Sequence, residues 1–215
     1  MRDDRPVSTL QPVAELVATS ASSWWPVTPG APWRVVALDG RIPPDEIGAL
    51  IWQVAMGCLP ESADGCGEDV SAAEAVRGII AAEALAICGG LRAENGAGAV
   101  IDPGCCSDLE EWREWARFAE RPALWLGHDP SPWVEYRDSC LRLHPDGGMQ
   151  PRPMSGQTGF VEFSHDELSD VLRTVRRDLL GFLDALSLWA RRIVPEQAAE
   201  LVDVFDVHFQ ISQPL

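Results

Sequence analysis

The chain contains no lysine, and all seventeen of its basic residues are arginine. Chemistry that needs a side-chain amine is thereby excluded. That removes Schiff-base and pyridoxal-phosphate enzymes, the P-loop lysine and the kinase-type strand lysine. Positive charge is scarce as well: 33 acidic residues leave a formal net charge of −16. Such a field repels polyanions, so no nucleic-acid partner is expected, and a basic protein is the complementary one. No apolar run approaches the ~20 residues of a membrane span, and the amino terminus lacks a basic start followed by an apolar stretch. A cytoplasmic protein with no membrane partner is expected, in which Cys58, Cys66, Cys88, Cys105, Cys106 and Cys140 stay reduced. A Ser-centred elbow, a glycine-rich phosphate loop and a His-x-x-x-His helix are all missing too, which removes most nameable enzyme classes.

The 215 residues, 46% of them hydrophobic, suffice for one substantial core. Residues 1–31 are rich in Pro, Ser, Thr and Ala and read as a loosely held arm, with a short helix only at Leu10 to Val17. A single α+β domain is expected over residues 32–215. Trp33 to Leu38 has the β-branched density of a strand, and Pro43-Pro44-Asp45-Glu46 starts a helix running to about Cys58. Three capping boxes follow, pairing Ser71 with Glu74, Ser107 with Glu110 and Ser164 with Glu167. The third opens a long stripe from Leu168 to Ile193, and Pro195-Glu196 opens a last helix with Ala199, Leu201, Val202, Phe205 and Phe209 inward. Between them, residues 72–101 read either as helix or as a hairpin turning at Asn95-Gly96. Trp133 to Tyr136 and Cys140 to Leu143 form a second candidate hairpin, and Thr158 to Phe163 a further strand. The sum is an α+β fold with a small, mostly antiparallel sheet packed against a C-terminal helical layer.

Chemistry is concentrated between Pro103 and Tyr136, which holds adjacent cysteines, four tryptophans and a His-Asp-Pro stretch. Cys105 and Cys106 lack the two-residue separation of a zinc pair, so neither a metal nor any other cofactor is assigned. A nucleophile is the sharper alternative: Cys106 precedes a helix start that favours a thiolate, and His128-Asp129 supplies a base and its orienter. No catalytic residue is assigned, because nothing in the spacing brings these groups together, and His-Asp-Pro also reads as a turn. On a helix from Asp108 to Phe118, Leu109, Trp112, Ala116 and Ala119 would face the core and Trp115 its margin. Glu110, Glu111 and Glu114 would point outward, balanced by Arg113 and Arg117. The candidate binding surface is therefore Glu110, Glu111, Glu114, Trp115, Trp125, His128, Asp129 and Trp133.

The segments PGCC (Pro103 to Cys106), LEEWREW (Leu109 to Trp115) and WLGHDPSPWVE (Trp125 to Glu135) resemble a pattern of uncharacterised cytoplasmic proteins of actinobacteria. The likeness extends through VEFSHDEL and the long helix after it. In size and acidity the chain is also similar to immunity proteins of bacterial toxin systems. That resemblance implies a non-enzymatic inhibitor whose acidic surface covers a basic toxin such as a nuclease. Two alternatives stand beside it. One is a cysteine- or metal-dependent enzyme centred on Cys105, Cys106, His128 and Asp129. The other is a structural subunit of a homo-oligomer with tryptophans at the self-interface.

Overall fold

The computed structural model describes residues 7–17, 24–27, 33–59, 70–146 and 159–215. Its elements run β1 (Ser8–Val17), β2 (Trp33–Ala37), α1 (Pro44–Cys58), α2 (Ala72–Ala81), β3 (Gly89–Asn95), β4 (Val100–Ile101), a 3₁₀ helix (Leu109–Glu120), β5 (Trp133–Tyr136), β6 (Cys140–His144), β7 (Val161–Ser164), α3 (His165–Ile193) and α4 (Ala198–Phe209). The fold is α+β, with two sheets rather than the one expected. The chain divides into two compact units where the sequence predicts one domain. The first takes residues up to Val13 and Cys88–Arg177, the second Ala14–Ile87 and Asp178–Pro214, and Leu215 groups with the first.

The predicted N-terminal arm is in part a strand. Leu10, Val13, Ala14 and Leu16 are buried in β1, where a short helix was expected from Leu10 to Val17. Sheet hydrogen bonding overrides the local helix preference of Ala14-Glu15-Leu16.

In the second unit α1 and α2 begin where the sequence signals predict. Pro44 sits in the first turn of α1 with Asp45 and Glu46. Ser71 and Glu74 cap α2 reciprocally. Residues 72–101 thus contain both of the predicted alternatives, first a helix and then a hairpin. Trp25 donates from Nε1 to the Gly48 carbonyl at 2.8 Å and meets Trp189 edge-on at 5.3 Å. A side chain at Gly48 would come within 2.5 Å of the Pro26 carbonyl, so this crossing requires glycine. Phe182, Phe205 and Phe209 continue the core, but Ala199 is exposed, because α4 starts at Ala198.

In the first unit, β5, β6 and β7 pair antiparallel, with Trp133 opposite His144, Glu135 opposite Arg142, and Arg142 opposite Glu162. Asp138-Ser139 makes the predicted tight turn, closed by Arg137 N–H donating to Cys140 O at 2.9 Å. Of the strand expected from Thr158, residues Val161–Ser164 form β7, and Thr158 lies outside the described residues. Ser164 and Glu167 cap α3 reciprocally, as the third box predicts.

The helix after Asp108 is not the predicted α-helix. Leu109, Trp112 and Trp115 are buried, whereas Ala116 and Ala119 are exposed. With three residues per turn, side chains three apart eclipse, so Trp115 replaces Ala116 on the inner face. Its first turn is capped by Asp108, whose carboxylate accepts from Glu110 N–H at 2.9 Å, in place of the predicted Ser107 and Glu110 box. The same period lines up Glu114, Arg117 and Glu120, and Arg117 bridges both carboxylates.

Candidate metal centre

Gly104, Cys105, Cys106 and Ser107 form a tight turn, with Ser107 N–H donating to Gly104 O at 3.3 Å. Cys106 occupies the left-handed region at φ 63°, which a side chain other than glycine adopts only when its surroundings hold it there. Here Trp125 does so in part, donating from Nε1 to Cys106 O at 2.9 Å.

A second segment lies against this turn. Gly104 N–H donates to Leu126 O at 2.7 Å, Cys105 N–H to His128 O at 2.7 Å, and His128 N–H back to Cys105 O at 2.9 Å. Two glycines permit the approach. A Cβ at Gly104 would lie 2.1 Å from Pro130 O, and one at Gly127 would lie 2.3 Å from Gly104 O. Gly127 also sits at φ 87°, which L side chains rarely adopt.

The short ladder brings His128 to two adjacent cysteine side chains that are far from it in sequence. The Cys105 and Cys106 sulfurs are 3.4 Å apart. With a ring nitrogen of His128 they form a trio whose donor atoms all lie within 4.8 Å of one another. Two sulfurs each ~2.3 Å from a tetrahedral zinc ion lie about 3.8 Å apart, and a sulfur and an imidazole nitrogen about 3.6 Å, so small χ rotations give the required spacing. The fold thus brings the adjacent cysteines and His128, which the sequence left as an alternative with nothing to join them, into one candidate trio.

His128 Nδ1 lies 3.1 Å from Asp129 Oδ2. A carboxylate beside one ring nitrogen fixes the tautomer and leaves the other nitrogen's lone pair for a metal, an arrangement common around ligating histidines. Asp129 itself is held at φ 52° before a cis peptide bond to Pro130. The site opens outward: Cys106 is exposed, Cys105 partly buried, and the His128 side chain 46% accessible.

The other predicted surface residues divide. Trp125 and Trp133 are 50% and 41% exposed, Glu110 and Asp129 are exposed, and Glu111 and Glu114 are partly covered. Trp115, only 2% exposed, is a core residue and not part of any surface. Trp133 stacks on His144 at 4.3 Å, while His144 Nε2 meets Glu135 Oε2 at 3.1 Å. Arg137 and His144 together hold the Glu135 carboxyl below its ordinary range.

Gly104 and Gly127 are the positioning residues that sequence reasoning missed. The available signal was a glycine immediately before each ligand segment, Gly104 before Cys105 and Gly127 before His128. Among the described residues, no helix is long and apolar enough to cross a membrane. In comparisons with protein-family models, curated proteins and solved structures, nothing matches this chain.

Proposed function

We propose that the chain is a metal-dependent protein that binds one zinc-type ion through Cys105, Cys106 and His128. The supporting observation is the convergence of three soft or borderline donors within 4.8 Å, with Asp129 oriented on the histidine. Two thiolates and a neutral imidazole balance a divalent cation. Three protein ligands leave a fourth position for water or an incoming ligand, as in catalytic rather than closed structural sites. A water held there would be acidified by the ion, and Asp129 would keep His128 oriented while ligands exchange.

The test is metal content in protein purified without chelator, for the wild type and for Cys106→Ser and His128→Ala. The expected result is about one zinc per wild-type chain and sharply reduced occupancy in each variant. Wild-type protein that stays metal-free after zinc is added and excess removed would refute the proposal.

Exposed Trp125 and Trp133, on a chain of net charge −16, favour a second reading as an acidic surface for a basic protein partner of the toxin type. Association of that kind slows steeply with added salt. Removing Trp133 would weaken it and leave the thiol ligands intact.

A further inference from the structure

We infer that Cys105 and Cys106 form a redox pair that controls the ion: oxidation closes them to a disulfide and expels the metal, and reduction restores the site. The inference rests on the metal-binding reading and adds its regulation.

The geometry lies between the two states. The sulfurs are 3.4 Å apart. A shared tetrahedral ion calls for about 3.8 Å, and a disulfide for about 2.0 Å. Rotations of the two side chains reach either end. Both cannot coexist, because sulfurs joined to each other no longer offer two thiolates.

The oxidant is a low-molecular-weight disulfide. Exposed Cys106 is the thiolate an incoming reagent meets first, since Cys105 is partly covered. It attacks one sulfur of the reagent and displaces the first thiolate. Cys105 then attacks the Cys106 sulfur of the mixed disulfide and displaces the second. Two cysteine thiolates have lost two electrons, the reagent has become two thiols, and the ion leaves with its oxidation state unchanged. Neighbouring Cα atoms stand ~3.8 Å apart, short of the usual 4.4–6.8 Å for a disulfide, so the bridge is strained and readily reduced again. Strain of this kind suits a switch better than a permanent staple.

Closure also reaches the imidazole. The small ring includes the Cys105–Cys106 peptide, whose carbonyl accepts from His128 N–H at 2.9 Å. Twisting that peptide loosens the histidine from the turn, and the next carbonyl, Cys106 O, moves against Trp125 Nε1. Trp125 fluorescence should therefore change on oxidation.

The experiment adds excess glutathione disulfide to zinc-loaded full-length protein, follows released zinc with a chromophoric chelator, and maps the products by mass spectrometry. The expected result is stoichiometric zinc release, with the peptide carrying both cysteines lighter by two hydrogens and bearing no glutathione. Thiol reductant should restore binding, and Cys105→Ser should retain glutathione on Cys106 because the resolving thiol is gone. Wild-type protein that keeps its zinc, or that retains glutathione without an internal bond, overturns the switch while leaving metal binding intact. Reduced protein that takes up no zinc overturns both.

Discussion

Replacing Gly127 with alanine tests the ladder that builds the site. The new Cβ would meet Gly104 O at 2.3 Å and Gly104 C at 2.4 Å, both backbone atoms with no flexible end to swing aside. A non-glycine residue at φ 87° adds strain of about 1 kcal/mol. To relieve the overlap, residues 126–128 must draw away from 104–105, which breaks three backbone hydrogen bonds of 2.7, 2.7 and 2.9 Å. At ~1 kcal/mol net for each, the ladder accounts for about 3 kcal/mol and the whole substitution for about 4 kcal/mol. Once His128 is no longer held beside the thiols, the ion must reassemble the site when it binds. At 1.4 kcal/mol per tenfold, zinc affinity should fall by about two to three orders of magnitude. The assay is competition with a chromophoric chelator, run beside denaturant unfolding of the metal-free protein. Gly57→Ala is the control, since a Cβ there meets nothing within 4 Å and helix α1 should gain ~0.5–1 kcal/mol. Wild-type zinc affinity in Gly127→Ala, in a protein that binds zinc, would refute the role assigned to the ladder.

Three further outcomes follow from the same geometry. Asp129→Asn, which tolerates the same left-handed backbone, should weaken zinc binding about 10–100-fold through loss of the carboxylate that orients His128, with little change in the unfolding midpoint of the metal-free protein. Trp115→Ala should cost about 3–5 kcal/mol, whereas Ala116→Leu should stay within ~0.5 kcal/mol; an α-helical register would reverse that order. Burial pushes the Glu111 carboxyl up, aided by the charges of Asp108, Glu114 and Glu110. A carboxyl raised in the folded state binds its proton more tightly there, so ionisation costs stability as pH rises through that value. Glu111→Gln should therefore raise Tm at about pH 7 and lose that advantage at about pH 3, where both states are protonated; an equal gain at both would contradict it.

The elements legible in the sequence are those fixed by local chemistry. Pro44 with Asp45 and Glu46, the Ser71–Glu74 box and the Ser164–Glu167 box each satisfy backbone groups within one turn, and α1, α2 and α3 start at them. Misreadings occur where two periods agree locally or tertiary pairing decides. Leu109 and Trp112 fit both the 3.6- and the 3.0-residue repeat, and only Trp115 against Ala116 separates them. β1 reads as helix because Ala14, Glu15 and Leu16 favour one, until its neighbouring strand is present. Each half of the proposed metal site is visible as residues. Their meeting is not, because it depends on two glycines and on left-handed Cys106 and Asp129, each uninformative by itself.

Titration of the reduced, metal-free protein with cobalt(II) probes the Cys105, Cys106 and His128 trio itself, because cobalt reports ligand type and geometry together. Saturation is expected at about one ion per chain, with intense thiolate-to-cobalt charge transfer, strong tetrahedral visible bands, and loss of both in Cys106→Ser. A weak octahedral spectrum, or a thiolate band that survives Cys106→Ser and His128→Ala unchanged, would contradict the proposed site.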